Sequence, residues 1–354
     1  MLGKGIYLGE STFFKDTTWN RSIWLNSGDS VDVIEKSPYD NREAKVYLKI
    51  RKKEHDIMLP EYMVRMEHFT NTNKTDEYCK DILHKILGTG AWDINPRPHW
   101  EDGAPAHSLS INGAMTQYDL SKGEIPLLTL RPVVYKKAIS ELLWIYKDAS
   151  NDLKRLREVY GIHWWDDWAL EDDTIGACYG ETVRRHNLMH GLIDSIEKNP
   201  DSRYHIINLW QVDDFKDPHG LKPCCFQTNF NVRHKDDETF LDMTLYQRST
   251  DFMTAGITVN EIQYAVFLCM VAHHFGYTPG IYTHFMQNIQ IYDRHIKQAH
   301  ELLSRETIPC EPKIWINPNK KDFFSLEPDD IKIIGYDAEI IKEINPQLKF
   351  PLAI

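Results

Sequence analysis

Pro223 fixes the backbone just ahead of Cys224, in the stretch Leu221-Lys222-Pro223-Cys224-Cys225-Phe226-Gln227. A thiol on such a scaffold can act as a nucleophile, or it can lie buried as a small hydrophobe. Strand-like alternation follows, with Phe226, Thr228, Phe230 and Val232 on one face, so Cys225 faces away from whatever Cys224 meets. A second stretch, Tyr246-Gln247-Arg248-Ser249-Thr250-Asp251, ends another strand pattern, in which Leu241, Met243 and Leu245 alternate with Asp242, Thr244 and Tyr246. The polar hairpin from Arg233 to Glu238 joins the two patterns. Antiparallel neighbours would therefore carry Cys224 and Arg248 to one end of a sheet, where a guanidinium favours the thiolate.

Other residues could serve the same chemistry. Glu141 shares a helical stripe with Val134, Ala138 and Ile145. A carboxylate on a core-facing stripe is costly to bury, and burial raises its pKa, which suits a general acid/base. A Glu at the stripe's edge is the alternative. Ile162 to Trp168 packs three Trp residues into seven positions, and such rings can stack on a heterocycle or simply fill a core. Gly176 and Gly180 flank a loop that presents the Tyr179 hydroxyl. Arg97 stands isolated in the Pro- and Trp-rich loop from Trp92 to Gly103, and Arg203 leaves the turn Asn199-Pro200-Asp201-Ser202-Arg203. Thr258-Val259-Asn260-Glu261 fits a capping box that opens an almost wholly apolar, buried helix. Asn260 then lies in the first turn, where its amide can read an amide-like edge or satisfy nearby backbone.

These residues need elements to hold them. Helices are expected over Asp76 to Leu87 and Val133 to Tyr146, and strands over His107 to Ile111, Ile125 to Leu130 and Tyr204 to Trp210. At 354 residues the chain can hold one large domain or two ordinary ones. Residues 1–75 read as an added structural or interaction segment. Trp19, Trp24, Phe13 and Phe14 are scattered through it, Lys45 to Ile50 is strand-like, Arg51 to Glu54 is charged and Thr70 to Thr75 resembles a linker. Residues 76–354 carry the chemistry. A net charge of −11 argues against a polynucleotide partner but not against a small anion held by local arginines. The six cysteines form no C-x-x-C pair, so no zinc or redox motif is expected, and reduced thiols are the default. No apolar run reads as long enough to span a bilayer and no signal peptide opens the chain, so a cytoplasmic location is expected.

Taken together, Pro-Cys, Gln-Arg-Ser-x-Asp, Glu-Leu-Leu-Trp, Trp-Asp-x-Trp, Tyr-Gly, Asn-Pro-Asp-Ser-Arg and the Pro-x-Ala-Ile end resemble the thymidylate synthase family from residue 76 onwards. The resemblance implies an α/β (α+β) fold with a mixed sheet and a buried central helix, plus an N-terminal extension. It implies a homodimer packed sheet to sheet, dUMP as substrate and 5,10-methylenetetrahydrofolate as co-substrate, with no metal. Cys224 would add to C6 of the pyrimidine. Glu141 would relay protons around O4, and Tyr179 would assist removal of the C5 proton. Arg97 and Arg248, with Arg203 from the second subunit, would hold the 5′-phosphate. Ser249 would donate to that phosphate, Thr250 belongs to the same substrate-binding run, and Asn260 would read N3 and O4. Tyr292 would bond the sugar 3′-OH. On the folate side stand Asp251, Trp165 and Trp168, with Ala353 and Ile354 closing over them.

Some positions depart from the family pattern. Gln290 stands for a usual His at the sugar, Asn288 for an Asp, Tyr204 for the second Arg of a pair, Arg131-Pro132 for Lys-Arg, and Cys225 for a His or Val. One residue is inserted between Asp251 and Asn260. A pyrimidine nucleotide hydroxymethylase, in which water replaces hydride, is the alternative reading. A non-catalytic homologue acting through residues 1–75 and a Cys-His hydrolase using His205 or His234 are weaker ones.

Overall fold

A computed structural model describes residues 73–216 and 221–353 in full, and residues 3–65 only as backbone strands. Trp19, Lys53-Glu54, Thr70 to Thr72 of the linker-like tract and the terminal Ile354 lie outside the described residues. The chain divides into two compact units, residues 1–73 with 307–309, and residues 74–306 with 310–354.

The first unit contains β1 (Gly3–Tyr7), β2 (Thr12–Lys15), β3 (Ser22–Leu25), β4 (Ser30–Asp40), β5 (Lys45–Lys52), β6 (His55–Pro60) and β7 (Val64–Arg65). Five of them form an antiparallel sheet in the order β6-β5-β4-β1-β7, and β2 pairs with β3. The expected strand from Lys45 to Ile50 is part of β5.

The second unit opens with α1 (Lys74–Thr89), β8 (Ala91–Trp92), β9 (Ser108–Asp119), α2 (Tyr135–Leu142), α3 (Leu153–Tyr160), α4 (Gly180–Arg185) and α5 (Leu188–Lys198). There follow β10 (Ile206–Asn208), β11 (Cys225–Lys235), β12 (Glu238–Asp251), α6 (Glu261–Phe275), β13 (Thr278–Tyr292) and α7 (Ile296–Ser304). The hairpin β14 (Lys313–Ile316) and β15 (Ile331–Ile334), then α8 (Ala338–Ile344), complete it. One six-stranded sheet, ordered β10-β11-β12-β13-β9-β8, is mixed because β12 and β13 run parallel while every other pair is antiparallel. The crossover between β12 and β13 is α6, whose residues from Glu261 to Ala272 are all buried, as its all-round apolar sequence requires.

Several local expectations fail for identifiable reasons. Residues Ile125 to Leu130 form no strand. Side chains take their backbone bonds instead: Thr129 N–H donates to Asp76, Asn345 donates to Thr129 O, and Tyr336 donates to Leu128 O. The helix expected from Val133 begins at Tyr135 and widens into a π-helical turn at Leu143–Lys147, and Val134 is half exposed rather than on the buried stripe. The strand expected from Tyr204 to Trp210 is regular only over Ile206–Asn208, with one further backbone bond to β11 from His205 and one from Leu209, and it ends where Ser202 Oγ and Asn208 Oδ1 accept the Tyr204 and Trp210 N–H groups.

The capping box is also absent. Phe252–Asn260 is itself π-helical and runs directly into α6, so Thr258 lies inside a helix and its hydroxyl donates to Thr254 O. A wide helical turn is how a backbone absorbs an inserted residue without breaking the segment. The joined run Phe252–Phe275 is also long and apolar enough to cross a membrane, contrary to expectation, but 83% of its most apolar window is buried within the protein. Phe226 leaves the face of Thr228, Phe230 and Val232, because a β-bulge between Cys225 and Gln227 resets the alternation.

Candidate active site

The antiparallel pairing of β11 and β12 brings Cys224 and Arg248 together, and Arg248 N–H donates to Cys224 O over 2.9 Å. The guanidinium then folds back on the turn that carries the thiol. Its Nε donates to Pro223 O at 2.9 Å, its Nη2 donates to Lys222 O at 2.8 Å, and Nη2 lies 3.6 Å from Cys224 Sγ. Trp210 lies 5.5 Å below the guanidinium, and sequence reasoning had passed over that ring. Burial pushes the Cys224 thiol up, while the charges of Arg248 and Arg97 pull it down, and burial wins. The expected net lowering is therefore not met here, although both arginines act in the expected direction. Cys225, facing the core, is pushed up well beyond the ordinary thiol range by complete burial.

Tyr179 supports the same turn, since its buried hydroxyl accepts the Cys224 N–H at 3.0 Å. Its backbone is left-handed, with φ +48°, an uncommon conformation for a residue with a side chain. The next residue must be Gly180, because a Cβ there would stand 2.1 Å from Ser150 O. The Trp165 ring lies 5.3 Å from that of Tyr179 and 6.0 Å from that of Trp168.

Glu141 is buried and paired, as its place on the stripe suggested. One oxygen accepts Trp164 Nε1 at 2.7 Å and Trp165 Nε1 at 2.5 Å, and the other accepts Gln263 Nε2 at 2.7 Å. Burial raises its pKa, and the three N–H donors oppose the rise. Gln263 was missed because nothing local marks it; it lies on α6, one helical turn beyond Asn260. Removing one donor with Trp165→Phe is expected to raise the Glu141 pKa further. With Glu141 as an acid/base, the corresponding limb of a pH–rate profile would move alkaline by about one unit, the worth of one hydrogen bond to a charge. Initial rates of the variant between pH 5 and 9 test this, and an unmoved limb would contradict it.

Thr250 is buried, with no bond to its hydroxyl among the described residues. Asp251 and His295 each keep one such atom, Oδ1 and Nδ1. The Asp251 carboxylate lies 4.0 Å from His295, and burial lifts its pKa while His295 opposes the lift. His295, also missed, has Nε2 2.9 Å from Pro351 O and so holds the C-terminal segment near Asp251. Ala353 is half-buried in that segment. Gln290 pairs in register with Asp251, and its amide donates to the Tyr292 hydroxyl at 3.3 Å. Ser249 pairs in register with Asn288, and Gln247 Nε2 donates to Asn260 Oδ1 at 3.1 Å. Arg97 is exposed but close enough for its charge to act on Cys224 and Tyr292. Arg203 and Tyr204 are exposed, and among the described residues no hydrogen bond ties either side chain to the thiol cluster. The hydrolase pairing fails, because His205 is bonded to Ser195 and Pro200, and His234 to Thr239 and Asp201.

Residues 77–353 match the thymidylate synthase family model. The chain is 43% identical over 283 residues to thymidylate synthases of Streptococcus pneumoniae (strain 70585) and Streptococcus agalactiae, covering 79% of this chain and 99% of each relative. Its structure is similar to that of the thermostable thymidylate synthase A from Bacillus subtilis, with a TM-score of 0.71 and 34% identity over 79% of this chain and 99% of the other. Fold and comparisons together define a methyltransferase. The chain belongs to the thymidylate synthase family.

Proposed function

We propose that this enzyme methylates dUMP at C5, with 5,10-methylenetetrahydrofolate as co-substrate, through addition of Cys224 to C6. The observation that carries the reading is the guanidinium of Arg248, 3.6 Å from Cys224 Sγ and anchored to the same turn. Loss of the thiol proton to solvent would give the thiolate that Arg248 and Arg97 stabilise, and a bound nucleotide phosphate would draw on Arg248, Arg97, Ser249 and the second subunit's Arg203. Addition forms the S–C6 bond and moves the ring electrons to O4, where a proton organised by Glu141 relieves the charge. Tyr179, already fixed beside the thiol, would assist loss of the C5 proton. Asn260 would read N3 and O4, and Gln290 with Tyr292 would meet the sugar.

The folate supplies one carbon and, in methylation, a hydride. A ring with polar edges would be met by Asp251 Oδ1 and His295 Nδ1, buried atoms with no bond among the described residues, and by the faces of Trp165 and Trp168. Closure of Ala353 over them would exclude water. The alternative is release of a 5-hydroxymethyl nucleotide, with tetrahydrofolate rather than dihydrofolate. Incubation with dUMP and methylenetetrahydrofolate, followed by identification of both products, separates the two. Dihydrofolate with dTMP supports methylation, and tetrahydrofolate with a 5-hydroxymethyl nucleotide overturns it.

The assembly would be a homodimer through the second face of the sheet. Met115, Phe285 and Tyr246 form a row across β9, β13 and β12, with Met115 55% and Phe285 39% exposed. Such a row on an uncovered sheet face favours a second copy. Phe285→Glu is expected to leave a monomer in sedimentation and to lose activity with it, because Arg203 would no longer reach the phosphate. A dimeric, fully active variant would contradict this.

A further inference from the structure

We propose that the buried pair Glu261–His284 is a positioning device that fixes which way the Asn260 amide faces, and hence which pyrimidine edge the site accepts. The inference rests on Asn260 being the residue that reads the base. Glu261 and His284 are both completely shielded from solvent, on α6 and β13. The Glu261 carboxylate accepts from Thr116 Oγ1 and contacts His284 Nδ1. The other nitrogen, His284 Nε2, lies 2.8 Å from Gln247 Oε1, and Gln247 Nε2 donates to Asn260 Oδ1 at 3.1 Å. Four side chains thus make one line, from a buried carboxylate through His284 and Gln247 to the Asn260 amide.

The proton on His284 Nε2 sets the direction of that line. Gln247 Oε1 can only accept, so His284 Nε2 carries a proton. While Nε2 keeps that proton, reversing the Gln247 amide would set its NH2 against His284 Nε2–H, two donors face to face in a site closed to water. A ring protonated only at Nδ1 would instead accept from that NH2, so the proton placement within the Glu261–His284 pair sets the direction. Reversing the Asn260 amide would set its NH2 against that of Gln247. Asn260 therefore keeps Oδ1 towards Gln247, leaving one lone pair on Oδ1 and both hydrogens on Nδ2 for a ligand. That pattern matches uracil, whose N3–H donates and whose O4 accepts. It mismatches cytosine, whose N3 accepts and whose exocyclic amine donates.

The test compares the binding of dUMP and dCMP to the full-length wild type, to Asn260→Ala and to the double variant Glu261→Met/His284→Phe. Replacing both members of a buried ionic pair by apolar groups of similar volume preserves folding better than removing one. The double variant is expected to keep its melting temperature but lose about tenfold or more of the dUMP-over-dCMP preference, which loss of packing alone would not change. If it does not fold, Gln247→Met, which leaves the pair in place and cuts its link to Asn260, carries the same expectation. A folded variant with an unchanged preference overturns the positioning role. Should Asn260→Ala leave the preference unaltered, the reading of Asn260 itself is at fault; if Asn260→Ala abolishes it while the pair variant keeps it, only the positioning role fails.

Discussion

Replacing Cys224 by Ala is expected to slow turnover of dUMP by at least about 10⁴-fold, the scale on which removal of an attacking nucleophile acts. Nucleotide affinity should change little, because the proposed phosphate contacts come from Arg248, Arg97 and Ser249. Arg248 also remains anchored to Lys222 O and Pro223 O without the sulfur. Steady-state rates together with equilibrium dUMP binding check both halves. A variant retaining a tenth of the wild-type rate would remove the thiol from the mechanism. A variant that fails to bind would mean that the thiol holds the nucleotide rather than attacks it.

Glu141→Gln is expected to cost about 10² to 10⁴ in kcat, the usual contribution of a positioned acid/base. It carries a second signature in stability. Burial holds the Glu141 carboxyl above its ordinary range, so the folded protein favours the protonated form. The protonated group's contribution is complete below the pKa of the unfolded chain, and it is lost as pH rises through the raised folded value. Gln does not titrate, so thermal melts should show its stability relative to wild type improving from about pH 4 upwards. A difference that stays flat with pH, or an activity loss below tenfold, would remove Glu141 from the acid/base role.

The thiol–guanidinium encounter was legible because it needs only local rules. Alternation marks two strands, a polar turn marks their hairpin, and antiparallel pairing returns Arg248 to Cys224. The burial of Glu141 was legible from spacing along α2, although Val134 misjudged the stripe's start. What escaped depends on partners far along the chain. Asp76, Tyr336 and Asn345 claim the backbone of Leu128 and Thr129, so an apolar run that reads as a strand pairs with side chains instead. Glu261 looked like a cap because its true partners, Thr116 and His284, lie on β9 and β13. Arg203 is exposed on the chain, and only the family resemblance, not any local pattern, marked it.

The central claim is that Cys224, not its neighbour, activates C5 of the pyrimidine. Release of tritium from [5-³H]dUMP, with methylenetetrahydrofolate present, measures that activation before the fate of the transferred carbon is decided. Wild type and Cys225→Ala should release tritium at similar rates, and Cys224→Ala should release none above background. Release from Cys224→Ala at the wild-type rate, or its loss from a folded Cys225→Ala, would contradict the account.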